Sequence, residues 1–396
     1  MDSVGKIFAY HRLRFRDLLI WGFCLRECTR VKERSSRGRA SPKSLRTRAV
    51  PSTPVLIPRS PKGAVPFSSN QSRCREPHPL LSNQNRGGHH LSLDYYKKTC
   101  PQFESTVRDA VFAKQSSVPA TAPGVLRLFF HDCLIDGCDA SILVSSNGYA
   151  RGERDAVPNL SLSGDAFEII NKIKNSLELT CPGVVSCSDI MAEATRDLVK
   201  MVGGPYYKVL LGRKDSLVTN ITKAAESLPE PEMPMDRIIT KFTSRGFNIR
   251  EMVALTGAHT IGFTHCNQFS HRIFNFSATS DVDPTLNPKL AAGLKRLCQN
   301  YTTDNGMSAF NDVRSPSKFD NAYFQNILRG LGLLTSDHAL SVDPRTRPIV
   351  EIYARNQTAF FVDFAAAMEK VSVLNVKTGR KGEIRDRCDQ FNHIPM

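Results

Sequence analysis

The chain has 396 residues, 41% of them apolar and 23% charged, which is long enough to bury a large hydrophobic core. Its formal net charge is +15, but residues 1–88 carry 18 Lys and Arg against 5 Asp and Glu, so the rest is nearly neutral. That balance argues against a nucleic-acid-binding body. No apolar run approaches the roughly 20 residues that a membrane-spanning helix needs. We therefore expect no nucleic-acid partner and no membrane span.

Within residues 1–88, the stretch from Arg30 to Lys62 is rich in Arg, Ser and Pro and lacks lasting periodicity, so it buries too little apolar surface to offset its ordering entropy. The best candidate for a secretory signal, Leu18–Leu25, is short and flanked by charges, so no signal peptide is evident. The segment is interpreted as a transit-like leader, a flexible tail or a stretch wrongly assigned to the gene, and we favour the last. A nucleic-acid or anionic-surface binder acting through this segment is one alternative function. We predict an extension over 1–88 and a folded domain over 89–396.

From about Leu91 the sequence predicts an all-α body with minimal β-structure. Helical spacing of apolar residues predicts helices at Pro101–Ser117, Ala166–Leu179, Cys187–Met201, Met235–Arg245, Ile249–Leu255, Asn321–Gly330 and Pro344–Met368. Ser186 or Ser188 is expected to cap the third of these. The best strand signal is Tyr207–Leu211.

Three short segments carry residues suited to chemistry. Arg127 and His131 are four positions apart, so on a helix they project from one face, with Phe130 beside them as an apolar wall. They offer a fixed cation and a titratable base. His259 ends an apolar helix among small residues, which leaves room for a flat group. Asp337 would need a partner if buried, and a histidine N–H is a common one. Taken singly, the two histidines are more often core residues, and Asp337 could be a helix cap.

Eight of the eleven cysteines lie from Cys100 onward, an even number that favours disulfides and an oxidising compartment over reduced buried thiols. Four glycosylation triplets agree with secretion. They begin at Asn220, Asn275, Asn300 and Asn356.

Four blocks in fixed order carry a resemblance to a known family. They are Arg127–Ser141, Val184–Ile190, Leu211–Asp215 and Val253–Gly262. With them, the chain over about Leu91–Asn392 resembles the class III plant peroxidases, which are secreted haem enzymes. The resemblance implies a haem-peroxidase fold in which two helical halves sandwich one haem b, together with two calcium ions and a monomeric state. It also implies one-electron oxidation of phenolic donors by hydrogen peroxide, through high-valent iron intermediates.

The same resemblance implies the role of each site residue. His259 is the iron ligand, and Asp337 accepts its other ring proton. His131 is the base that moves a proton between the two peroxide oxygens, and Asn159 orients it. Arg127 stabilises the charge that develops on the departing oxygen. Because Asn159 also begins a glycosylation triplet, we expect that triplet to stay unmodified.

Calcium ligands and cysteine pairs are also implied by the resemblance. The distal calcium site maps onto Asp132, Asp139 and Ser141 with carbonyls of Asp132, Ile135 and Gly137. The proximal site maps onto Thr260, Asp312, Ser315, Asp320 and the Lys318 carbonyl, with Ser315 where threonine is usual. Spacing alone leaves 105 pairings of eight cysteines. The implied pairs are Cys100–Cys181, Cys133–Cys138, Cys187–Cys388 and Cys266–Cys298.

The loop Leu228–Pro231 matches the substrate-channel loop of the family, and the Pro229 carbonyl is expected to contact an aromatic donor. A secreted location follows from the resemblance, with the vacuole as a second possibility. The alternative function is a catalytically silent relative that binds haem or cell-wall polymer. The presence of Arg127, His131, Asn159, His259 and Asp337 together argues against it.

Overall fold

The computed structural model describes residues 91–147 and 151–393. The predicted extension over 1–88 therefore lies outside the described residues. Within them the fold is helical, with several short 3₁₀ turns and one two-stranded sheet, which confirms the all-α prediction. None of these helices is long and apolar enough to span a bilayer. The helices are α1 (Phe103–Ser117), α2 (Thr121–Ile135), α3 (Gly164–Thr180), α4 (Cys187–Met201), α5 (Ile221–Ser227), α6 (Met235–Thr243), α7 (Ile249–Thr256), α8 (Pro288–Leu297), α9 (Ala322–Ile327), α10 (Thr335–Val342), α11 (Arg347–Arg355) and α12 (Gln357–Ser372).

Helix α2 is the central element of one half of the fold. Apolar residues cover most of its surface, so it is buried rather than amphipathic, and it packs against α3 and α4. Its end is fixed by Gly137, whose φ of +116° suits glycine. A Cβ at Gly137 would lie 2.6 Å from the carbonyl oxygen of Asn375. The turn after α2 thus lies directly on the C-terminal segment, where the Cys138 N–H donates to the Leu374 carbonyl at 3.1 Å.

Helix α7 organises the other half. It begins with a capping box between Asn248 and Glu251, packs against α12, and continues into a 3₁₀ turn, Gly257–Thr260. A Cβ at Gly257 would lie 2.5 Å from the ring of Phe360, so only glycine lets this turn approach the aromatic core. The turn carries His259 and is held in place by that close packing.

The one sheet in the described residues pairs β1 (Phe263–His265) with β2 (Ser308–Phe310) in antiparallel register. The predicted strand over Tyr207–Leu211 was wrong. Only Leu211 pairs, in an isolated bridge with Ser92. The segment is irregular, and it buries Tyr207 and Val209 on the core without a neighbouring strand to pair with.

The observed helix boundaries agree best with the predicted ones where the sequence contains a clear capping residue. Helix α4 has the predicted bounds, and the Ser186 hydroxyl accepts the Asp189 N–H as its cap. The single helix predicted over Pro344–Met368 was wrong, because the chain is extended at Asn356 and forms α11 and α12 instead. The Asn356 side chain accepts the Ala359 N–H and starts a new helix, a common role for asparagine.

Among the described residues, four disulfides cross the fold in the pairs that the resemblance implied. They are Cys100–Cys181, Cys133–Cys138, Cys187–Cys388 and Cys266–Cys298.

Candidate active site

His131 lies on α2 with hydrogen bonds at both ring nitrogens. Its Nδ1 is 2.6 Å from Oδ1 of Asn159, and Arg127 Nε donates to its Nε2 at 3.3 Å. The Asn159 amide orientation is set by its own Nδ2, which donates to the Glu153 carbonyl at 2.8 Å. Since Oδ1 can only accept, the proton of a neutral His131 must be on Nδ1. That leaves a lone pair on Nε2, the nitrogen beside Arg127.

The segment Val157–Ser161 also positions Arg127. The guanidinium donates to the Pro158 carbonyl at 3.0 Å and to the carbonyl and hydroxyl of Ser161 at 3.2 and 3.1 Å. The Arg127 side chain is exposed, yet enough protein surrounds its guanidinium for desolvation to lower its pKa to about 10. Arg127 therefore remains a cation at neutral pH.

Burial determines the charge state of His131. Desolvation and, to a smaller extent, the positive charge of Arg127 lower its pKa to about 3, although the Asn159 hydrogen bond opposes both. His131 is therefore neutral at physiological pH and able to accept a proton. The Phe130 ring lies 6.4 Å from the His131 ring, edge-on, and 6.1 Å from Phe242 of α6, so an apolar ring packs beside the imidazole.

His259 has a carboxylate as its hydrogen-bond acceptor. Its Nδ1 lies 3.1 Å from Oδ1 of Asp337, which also accepts the Tyr323 hydroxyl at 2.7 Å. Oδ2 of Asp337 accepts the Leu334 N–H at 3.1 Å, at the start of α10. Burial raises the pKa of Asp337, but the hydrogen bonds from His259, Tyr323 and Leu334 outweigh it and lower the pKa below its usual value. Asp337 is thus a carboxylate that both caps α10 and orients His259.

The residues around His259 fit an iron porphyrin. In the described part of the chain its Nε2 has no hydrogen-bond partner, and an imidazole with Nδ1 bonded to a carboxylate is the form that binds haem iron. The segment after His259 abuts α2, because Gly262, with φ of +90°, lies against Pro123. A Cβ at Gly262 would approach Pro123 Cβ to 2.9 Å. The two histidine-bearing segments therefore meet at this contact.

The turn after α2 gathers buried acidic groups. The Asp132 carboxylate accepts the N–H groups of Asp139, Ala140 and Ile142 at 3.0, 3.0 and 3.3 Å. Ile135 and Gly137, the implied carbonyl ligands, lie at and just beyond the end of α2. The structure thus brings the implied distal ligands into one short turn.

Three carboxylates are fully buried around this turn, on Asp132, Asp139 and Glu153. The Ser141 hydroxyl donates to Glu153 at 2.8 Å, and the Lys377 ammonium contacts Asp139. Desolvation raises the pKa of both Asp132 and Glu153 to about 7. Buried anionic oxygens of this kind suit a hard cation such as calcium.

A second oxygen-rich cluster lies beside the His259 turn. The Ser315 hydroxyl donates to Asp312 at 3.3 Å and to Asp320 at 3.1 Å, and the Asp320 N–H reaches the Thr260 hydroxyl at 3.4 Å. The Lys318 ammonium is 3.7 Å from Asp320. In the part of the chain that the structure describes, no three His, Cys, Asp and Glu side chains gather as a metal centre. Calcium at either cluster would therefore depend on hydroxyl and carbonyl oxygens as well.

Pro229 lies half-buried between α5 and α6. Two residues later, the Pro231 carbonyl accepts the Ser336 N–H at 2.9 Å, which ties this loop to α10. Sequence reasoning missed three residues of the site, Glu153, Tyr323 and Lys377. Each acts through a contact with a residue distant in sequence, and no local pattern marks it.

The fold and the two histidine environments together define the class of haem peroxidases. The chain matches the family model described as Peroxidase over residues 104–356. Peroxidase 6 of Arabidopsis thaliana is 58% identical over 302 residues, covering 76% of this chain and 92% of that protein. Peroxidase 65 of the same plant is 55% identical over 304 residues, covering 77% of this chain and 90% of that protein. The chain belongs to the peroxidase family.

Asn159→Leu tests the orientation of His131. Losing the acceptor for Nδ1–H frees the ring to rotate and to change tautomer, so we expect the rate constant for reaction with hydrogen peroxide to fall by about 10- to 100-fold. Stopped-flow absorbance of the haem-loaded protein measures it. Asn175→Leu, at an exposed position of α3, is the control and should react at the wild-type rate. Equal rates for the two variants would contradict the role assigned to Asn159.

Proposed function

We propose that this peroxidase uses hydrogen peroxide to oxidise phenolic donors one electron at a time, with His131 as the proton-transferring base. The observation that carries the proposal is the pair of contacts at His131, in which Asn159 fixes the proton on Nδ1 and Arg127 lies at the basic Nε2. A neutral, oriented imidazole beside a permanent cation is what heterolysis of peroxide requires.

The proximal residues would hold the cofactor. His259 would bind the haem iron through Nε2, and Asp337 would make the ring a stronger electron donor through the bond at Nδ1. The bound haem supplies the redox-active iron at which peroxide is reduced. His131 would take a proton from one peroxide oxygen and deliver it to the other oxygen, which leaves as water. Arg127 would stabilise negative charge on the departing oxygen.

Donor binding is assigned to the loop at Pro229. The hydroxyl of a phenolic substrate can donate a hydrogen bond, and the Pro229 carbonyl would accept it. The loop that carries this carbonyl is held to α10 by the hydrogen bond from the Ser336 N–H to the Pro231 carbonyl. That attachment keeps the acceptor at a fixed distance from the segment that carries Asp337. All of the proposed site residues belong to one chain, so we propose that the monomer is active.

Calcium is proposed at both oxygen-rich clusters. The distal ion would be held by Asp132, Asp139 and Ser141, with carbonyls of Ile135 and Gly137, where the buried carboxylates would supply anionic oxygens. The proximal ion would be held by Thr260, Asp312, Ser315, Lys318 and Asp320.

The proposed location is outside the cell, with the vacuole as the other compartment. Four disulfides support an oxidising environment. The glycosylation triplets also support secretion, because Asn220, Asn275, Asn300 and Asn356 are all exposed. Asn159 is buried, which supports the expectation that its triplet stays unmodified.

His131→Ala tests the proposed chemistry. The variant should bind haem and show a Soret band, but its rate of reaction with peroxide should fall by about two to four orders of magnitude, the usual contribution of a general base. Absorption spectra before and after peroxide addition measure both properties. His393→Ala, at an exposed position, is the control. A His131→Ala protein that reacts at the wild-type rate would refute the assignment.

Asp139→Asn tests the distal calcium site. Losing one buried carboxylate should reduce calcium from two ions to one per chain and lower the melting temperature, since a ligand at 100 times its Kd stabilises a protein by about 2.7 kcal/mol. Atomic absorption after gel filtration and thermal unfolding measure these effects. The control is Asp136→Asn, in the same turn but paired with Lys223 at the surface. Unchanged stoichiometry in Asp139→Asn would contradict the site.

Removal of residues 1–88 tests the proposed division of the chain. Every proposed site residue follows that segment, so the shortened protein should keep its Soret band and its rate with peroxide. Loss of haem binding in a folded shortened protein would show that the active domain begins earlier.

A further inference from the structure

The carboxylate that orients His259 has a second donor on the same oxygen. Oδ1 of Asp337 accepts the Tyr323 hydroxyl at 2.7 Å and His259 Nδ1–H at 3.1 Å. The other oxygen accepts the Leu334 N–H. The negative charge of Asp337 is therefore shared among three donors rather than directed at the imidazole alone.

Tyr323 is built into the proximal wall. Its side chain is 1% exposed, and its ring meets the His259 ring edge-on with centroids 5.8 Å apart. It also packs edge-on against Phe324, at 5.1 Å. A buried phenol needs a hydrogen-bond partner, and Asp337 is the acceptor that its hydroxyl reaches. The packing leaves the hydroxyl fixed toward Asp337.

Two hydrogen-bond donors that share one acceptor oxygen compete for its negative charge. Each hydrogen bond withdraws charge from the acceptor, so the shorter bond weakens the longer one. Charge-assisted N–H···O bonds usually measure about 2.7–2.9 Å, and the His259 bond is longer than this range. The Tyr323 bond has the length of a strong hydroxyl–carboxylate bond.

We propose that Tyr323 is a positioning residue that limits how strongly Asp337 acts on His259, and so sets the donor strength of the iron ligand. This inference rests on the proposed role of His259. Less charge on Asp337 Oδ1 leaves the imidazole proton more firmly on Nδ1 and makes Nε2 a weaker donor to iron. The chain thereby contains a residue that tunes its cofactor without touching it.

Tyr323→Phe in the haem-loaded protein tests the inference, because it removes the hydroxyl and keeps the ring. The His259–Asp337 bond should then strengthen. We expect the iron–histidine stretching band of the reduced protein to move to higher frequency and the ferric–ferrous midpoint potential to become more negative. Resonance Raman spectroscopy and spectroelectrochemistry measure these shifts without an activity assay.

Tyr353→Phe is the matched control. Tyr353 is buried in the same aromatic cluster, contacts Phe324, and donates its hydroxyl to the Asp363 carboxylate at 2.7 Å. The Tyr353→Phe variant should keep the wild-type iron–histidine stretching frequency and the wild-type midpoint potential. In an Asp337→Asn background, Tyr323→Phe should also have no comparable effect, because the shared carboxylate is gone.

Incorporating 3-fluorotyrosine at position 323 keeps the inference testable if Tyr323→Phe does not fold. The more acidic hydroxyl donates more strongly, so both shifts should reverse in sign. The inference alone would be overturned if the Tyr323→Phe or fluorotyrosine protein had the same iron–histidine band and midpoint potential as the Tyr353→Phe control. This outcome requires that the band be lost in His259→Ala. A band that survives His259→Ala would overturn the proximal assignment, and the inference with it.

Discussion

Each of the two histidines has its Nδ1 occupied by a hydrogen bond to a side-chain oxygen, and the site depends on this constraint. The bond makes Nε2 the working nitrogen in both rings, but the acceptors differ. Asn159 offers a neutral amide to His131, and Asp337 offers a carboxylate to His259. A neutral acceptor orients a base without making it a strong ligand, whereas an anionic one makes the imidazole a better donor. The acceptors thus suit the two histidines to the different roles proposed for them, proton carrier and metal ligand.

The distal acceptor is itself supported from the acidic turn. Glu153 holds the Asn159 amide with its backbone carbonyl and the Ser141 hydroxyl with its carboxylate. A cation bound at Ser141 would therefore act on the orientation of His131 through two residues. The same helix, α2, carries Arg127 and His131 on one turn and Asp132 at the next position. The proposed calcium site and the proposed base are therefore mechanically joined at this end of the fold.

Local chemistry in the sequence predicted part of this arrangement. The four-residue spacing of Arg127 and His131 placed both on one face, and Ser186 marked the start of α4, because helix geometry and capping act over a few residues. The break at Asn356 was missed because apolar periodicity continues across it. The disulfide pairs and the roles of His259 and Asp337 required the family resemblance. Tyr323 and Glu153 escaped notice because their contacts depend on the assembled fold.

The acidic turn is completed by residues 374–385, which follow it at a great distance in the sequence. Leu374 pairs with Cys138, Lys377 contacts Asp139, and the Arg385 guanidinium donates to the Ala140 carbonyl at 2.7 Å. These residues lie more than two hundred positions after the turn that they support, so the ribosome synthesises them much later. During biosynthesis, α2 can fold early, but its functional end must wait for the last segment. Premature termination before Leu374 would therefore damage the side of the fold that carries His131, although every residue proposed for catalysis would already have been translated.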